Sequence, residues 1–333
     1  MASPAFPAES EPIGKRVAIA AAALAGLLVL GLVLRPGADL PRLAQLVVNG
    51  VITGSILALA GVGATLIFGI QRLANFAHGD FLAVGAYAAL AVNVALGAPL
   101  PLAALAAMAA VALLGVAAHL GLFRPLRDRG PVAVALVSVG LGLVIRNVVF
   151  LVAGSSARRL NVSQTDVVEL GAVRLSPGQA IAVAVALVVA PGVALFLAKT
   201  RIGRQMRAVA DNRDLAAVAG VNVARIELAV WVVAGALAGL AGVMLGLEQG
   251  TFDPNLGVGP LFLIFTTVVL GGIGSAYGAL VAGLALGLAM ELATWDGFLG
   301  GIDAKYKPVL AFAVLILLLL YRPQGLFGRA RVL

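Results

Sequence analysis

The 333-residue chain contains no cysteine, which removes disulfides, thiolate metal sites and cysteine nucleophiles together. Two histidines, His78 and His119, are its whole supply of imidazole. Charge is scarce as well: Asp, Glu, Lys and Arg make up 11% of the residues, against roughly 25% in a soluble domain. A chain that is 62% hydrophobic with so little charge cannot clothe a water-facing surface, so it reads as an integral membrane protein. Its length accommodates about ten spans of ~20 residues with their loops. No Ser/His/Asp set, H-E-x-x-H pair or paired intramembrane carboxylate is present, so the chain is not read as an enzyme.

What is abundant is apolar sequence, cut by charge, glycine and proline. The cuts leave ten candidate spans, near residues 17–34, 43–70, 81–96, 100–123, 132–152, 178–197, 226–247, 261–280, 281–299 and 308–321. The first is too long for a signal-peptide core and lacks a small-residue cleavage pattern, so it is expected to remain as a span. With the N-terminus inside, fifteen Lys and Arg fall in inner loops and tails and seven in outer ones, Arg146 lying within a span. That bias predicts both termini in the cytoplasm. The formal charge of +8 is thereby explained by topology and not by nucleic acid. The 41 glycines include G-x-x-x-G pairs such as Gly50/Gly54, Gly235/Gly239 and Gly283/Gly287, which suit close helix packing in lipid.

Two stretches interrupt the apolar pattern: Gln71–Ala88 and Leu270–Gly283. They lie about half a chain apart, as broken helices lining a transport pathway do. If spans two to five and seven to ten are repeats, five spans separate the copies, and the odd number inverts one against the other. Within the first stretch, Asn75 and His78 are expected to satisfy backbone groups freed by the break. Gly79 permits the turn, and Asp80 caps a helix starting at Phe81. The second stretch, with Gly271, Gly272, Gly274 and Ser275, lacks the strand and acidic residue of a dinucleotide site, so it reads as close packing or a break. Arg146 and Asn147 sit in apolar sequence, where an arginine must face protein or water; Glu291 is its expected partner. Because Glu291 stands nearly alone as an intramembrane acid, coupling to an ion gradient is not expected.

The longest polar interruption is Ala198–Arg225, with six basic residues. Charge at that density must emerge into water, and its basic excess places it in the cytoplasm. The spacing of Ala208, Leu215, Val218 and Val221 predicts short amphipathic helices, an element suited to the grip of another protein.

The segments Asn49–Tyr87, Thr200–Arg225, Gly250–Gly283 and Tyr306–Arg329 together resemble permeases of the branched-chain amino-acid ABC importer family, the shorter of its two permease subunits most of all. The resemblance covers residues 43–330. It implies an all-α polytopic fold of about ten helices, with 1–42 an added tail and span and 198–225 the coupling loop. It implies a second homologous permease, two ATPase subunits that use ATP and Mg, and an extracytoplasmic binding protein that delivers substrate; the chain itself would bind no cofactor. A degenerate coupling pattern appears as Asp214-Leu215-Ala216 followed by Gly220, so the resemblance assigns the ATPase contact to Gly203, Arg204, Arg207, Asp211, Asn212, Asp214 and Gly220. Family members handle branched-chain and other amino acids, urea or short amides. An autonomous secondary carrier or channel is the alternative.

Overall fold

The computed structural model describes residues 39–162, 168–171, 173–296 and 301–328. The first predicted span, 17–34, lies outside them. Eleven α-helices are described: α1 (Leu40–Gln71), α2 (His78–Leu90), α3 (Leu100–Ala118), α4 (Pro131–Ala153), α5 (Pro177–Lys199), α6 (Arg201–Asp211), α7 (Arg213–Val218), α8 (Val223–Gln249), α9 (Val258–Gly271), α10 (Ala276–Leu292) and α11 (Lys307–Tyr321). Among the described residues six helices are long and apolar enough to cross a membrane, and α9 and α10 are shorter apolar helices between them. The chain is therefore an all-α polytopic membrane protein. Among the described residues one strand pair, Val168–Leu170 with Val173–Leu175, runs antiparallel between α4 and α5.

Local sequence sets the helix starts. Proline stands in the first turn of α1, α3, α4, α5 and α11, where its missing N–H costs nothing. Asp39 caps α1 through the Arg42 N–H (3.2 Å), and Ser176 with Gln179 forms a reciprocal capping box on α5. At their ends α2 and α3 each widen into a π-helical turn, Ala91–Ala95 and His119–Phe123.

The helices α1 and α8 form the axis of the bundle and run antiparallel: Thr53 meets Glu248, Gly63 meets Ala234, and Gln71 meets Trp231. Around them the packing repeats. Helix α1 packs on α10 as α8 packs on α3, α2 packs on α8 as α9 packs on α1, and α2 packs on α4 as α9 packs on α11. The same device closes the two main contacts. A Cβ at Gly50 or Gly54 would lie 2.9 Å from the backbone of Leu288 or Leu284, and one at Gly235 would lie 2.7 Å from that of Ala112. At the centre, Gly79 beside the start of α2 abuts Gly257 at the start of α9, with no room for a side chain on either. Two helix N-termini thus meet and run apart, the arrangement of an inverted pair.

This pairing corrects the expected equivalence of the two interruptions. The first lies between α1 and α2, the second between α9 and α10. Under the repeat, the first corresponds to residues 250–257 and the second to the loop after α2. The repeat is carried by glycine contacts on the helices, whereas the breaks are individual to each half.

Candidate functional site

At the first break α1 ends on Arg72, whose φ of 52° is the one left-handed non-glycine conformation among the described residues; its N–H still bonds Phe68 (2.8 Å). The freed backbone of residues 74–77 is then tied by side chains. Ser138 of α4 accepts from the Phe76 N–H (3.0 Å) and also reaches the Ala74 carbonyl (3.3 Å), and the Asn75 side-chain oxygen accepts from the Ala77 N–H (3.1 Å). His78 is fully enclosed and directs Nε2 to the Ala60 carbonyl (3.0 Å), which assigns the proton to that nitrogen. Among the described residues, His78 Nδ1 and the Asn75 amide nitrogen have no hydrogen-bond partner. The helix begins at His78, with Ala77 as its cap residue, so Asp80 is not the cap of a helix starting at Phe81. It sits in the first turn, where its charge complements the helix dipole, and accepts from Arg146 Nε (2.9 Å) and Nη2 (3.3 Å).

The expected Arg146–Glu291 pair is accordingly not formed. Helix α4 packs on α2, so Asp80 is the acid within its reach. Glu291 instead accepts from Lys307 Nζ at 2.6 Å, a residue counted from sequence as an outer-loop cation but placed as the first residue of α11. Asn147 donates back to the Leu143 carbonyl of its own helix (2.8 Å). Glu291 is also less solitary than expected. Asp80, Glu227, Glu248 and Glu291 all lie within packed helices, Glu248 accepting from Thr53 (2.7 Å). Three of the four are ion-paired to a basic side chain.

At the second break, Gly272 and Gly274 adopt φ of 96° and 85°, which turns the chain between α9 and α10. The Gly274 N–H donates to Thr65 of α1 (3.0 Å), and Ser275 caps α10 through the Gly278 N–H (3.1 Å). Gly271 lies against Gly278 with no space for a side chain. Both breaks therefore lean on α1, His78 through Ala60 and Gly274 through Thr65. Glu291 stands at the far end of α10, away from either.

The polar interruption folds into α6 and α7, the short helices its spacing predicts. Thr200 caps α6 through the Gly203 N–H (3.0 Å). Gly203 itself fits against the end of α5, where a Cβ would lie 2.7 Å from the Leu197 Cα. Arg204 bonds the Lys199 carbonyl (2.8 Å) and Arg207 those of Leu197 and Ala198, so both cations close the last turn of α5. Met206, Val209 and Ala216 face inward. Asn212 accepts from the Leu215 N–H (2.9 Å) and starts α7, next to exposed Asp211. Asp214, Leu215 (66% exposed) and Val218 (87%) face outward, and Gly220 follows at φ 85° in open space.

Glu227, unmarked in the sequence reading, anchors this elbow. Its carboxylate accepts from Arg213 of α7 and from Arg127 (3.3 Å) in the loop between α3 and α4. A short sequence separation from Arg213 was its only signal. Nearby, Gln71 joins the end of α1 to Trp231 (3.1 Å) and His119 (3.3 Å), and Trp231 stacks on His119 and Phe123. The exposed face of α7 is thus mounted on a cross-braced end of the bundle.

Comparison with known proteins places this architecture. Residues 46–319 match the family model described as branched-chain amino acid transport system / permease component. The high-affinity branched-chain amino acid transport system permease protein BraD of Pseudomonas aeruginosa is 34% identical, over 86% of this chain and 96% of that protein. The corresponding LivH of Escherichia coli K12 is 31% identical over the same shares. LivM of that bacterium, a permease protein of the same named system, is 26% identical over 40% of this chain and 30% of its own length. With a helical membrane bundle, two broken helices and matches along most of its length, the chain belongs to the branched-chain amino acid ABC transport permease family.

Proposed function

We propose that the chain is one of two homologous membrane subunits of an ATP-driven importer for branched-chain amino acids. One of two ATPase subunits grips the α6–α7 elbow from the cytoplasm, and a binding protein delivers substrate on the opposite side. The observation that carries this reading is the exposed face of α7. Asp214, Leu215 and Val218 project from a six-residue helix that is braced to α8 through Arg213 and joined to α5 through α6. Leu215 and Val218 are exposed among the described residues, and a firm mount turns a push on them into movement of α5 and α8. Gly203, Arg204 and Arg207 build the elbow, Asn212 shapes it, and Asp211, Asp214 and Gly220 border the docking face. LivM, similar in part and from the same named system as LivH, supports a second permease as partner. The N-terminal 42 residues would be an addition to a permease domain of residues 43–330, with both termini in the cytoplasm.

The reading is tested by reconstituting the chain with its neighbouring permease, ATPases and binding protein. Leu215→Asp with Val218→Asp is expected to lower ATP-dependent leucine uptake at least tenfold while the chain still enters the membrane. Uptake by the purified chain alone, or uptake indifferent to both substitutions, would defeat it.

A further inference from the structure

Helix α11 is the loosest of the described spans. Ala311 is its one enclosed residue among them, while Leu317, Leu320 and Tyr321 face outward. Polar ties hold it at both ends. At its start, Lys307 donates to Glu291 of α10 (2.6 Å). At its end the chain turns sharply and residues 322–328 pass beneath α9. There the Leu326 N–H donates to the Leu270 carbonyl (2.8 Å) and the Phe327 N–H to the Gly271 carbonyl (3.1 Å).

Those carbonyls belong to the last turn of α9, which has no following helical residues to supply donors because Gly272 diverts the chain. A segment more than fifty positions later along the chain provides them, so the cap of α9 and the position of α11 are one contact. The fit is close. Gly325, buried at φ 74°, would bring a Cβ within 2.5 Å of the Val269 carbonyl and 2.6 Å of the Gly272 nitrogen. Beyond Gly272 the turn is fixed to α1 by the bond from Gly274 to Thr65. The strap therefore joins the most enclosed of the described spans to the least enclosed one. It does so through two backbone hydrogen bonds, and Gly325 is the one buried residue of the strap.

We propose that residues Arg322–Gly328 are a releasable latch, which clasps the end of α9 when α11 is docked and opens to let α11 swing during transport. The proposal rests on the permease reading for its transport consequence, and on geometry alone for the clasp. The absence of cysteine allows a clean test. In the full reconstituted complex, Ile273→Cys and Phe327→Cys are joined by a short bismaleimide. Each single variant treated alike is the control. The cross-linked complex is expected to retain its ATPase subunits and lose at least tenfold in ATP-driven import. Import within twofold of the controls overturns the latch. A second measurement needs no transport: a spin label at Gln324→Cys is expected to be immobilised in the parent and mobile when Gly325→Ala is added. Equal mobility in the two overturns the clasp. If the untreated complex fails to import while the labels behave as expected, the permease reading falls and the clasp stands.

Discussion

A charge placed among packed helices is informative through the neighbour it finds. Asp80 is 3% exposed and bonded bidentately by Arg146, the one basic side chain that α4 presents to α2. Removing one member of such a pair strands the other, which typically costs about 3–5 kcal/mol, whereas neutralising both costs much less. Arg146→Ala is therefore expected to lower the melting temperature in detergent by more than the double variant Asp80→Asn with Arg146→Ala. A double variant as unstable as the single one would show that Arg146 acts by packing alone. The sequence marked both residues but joined Arg146 to Glu291. Depth along a span is legible in a sequence; which helix stands next to which is not. Lys307 shows the same limit, because a cation at the edge of an apolar run looks like loop until a buried carboxylate is placed beside it.

At the level of elements, glycine spacing was the legible signal and its partners were not. G-x-x-x-G pairs pointed to close contacts, yet nothing in them says that Gly50 and Gly54 meet α10 while Gly235 and Gly239 meet α3. The consequence is selective. Gly54→Leu drives a side chain into the backbone of Leu284 and should cost more than the ~1–3 kcal/mol of ordinary overpacking, because two helix backbones must separate. Gly140, in α4, has open space around its Cβ position, so Gly140→Ala is expected to be neutral or to stabilise by about 0.5–1 kcal/mol through helix propensity. Thermal unfolding of the two variants in one detergent compares them; equal destabilisation would argue against the α1–α10 contact. The elbow is a second case. Short amphipathic helices after Ala198 followed from spacing, but the brace through Glu227 joins three segments. Glu227→Gln should weaken the grip on Arg213 and Arg127 together and reduce ATP-dependent uptake several-fold, with expression maintained. Uptake at the parental rate would leave the brace without a role in coupling.

Across the whole molecule, the inverted repeat is a statement about which loops share a side. The repeat was suggested by counting spans, and the two interruptions that prompted it turned out not to be counterparts; the helix contacts carry it instead. Those contacts have a consequence for sidedness that no charge count enters. Because α1 and α8 are antiparallel, with Gln71 against Trp231 at one end and Thr53 against Glu248 at the other, the α9–α10 turn and the α6–α7 elbow lie on one side of the bilayer. Leu96, at the end of the π-helical turn that follows α2, and Asn161, whose N–H donates to Asn93 of that turn (2.7 Å), lie on the other. In this cysteine-free chain, single cysteines at Leu215 and Ile273 should react with an impermeant thiol reagent in inverted vesicles and not in intact cells. Cysteines at Leu96 and Asn161 should react only from the outside. Labelling of Leu215→Cys and Ile273→Cys from opposite sides would break the antiparallel axis on which the repeat, the elbow and the latch all depend. Labelling of both from the outside would leave that axis intact and invert the whole bundle, placing the α7 face where no ATPase could reach it.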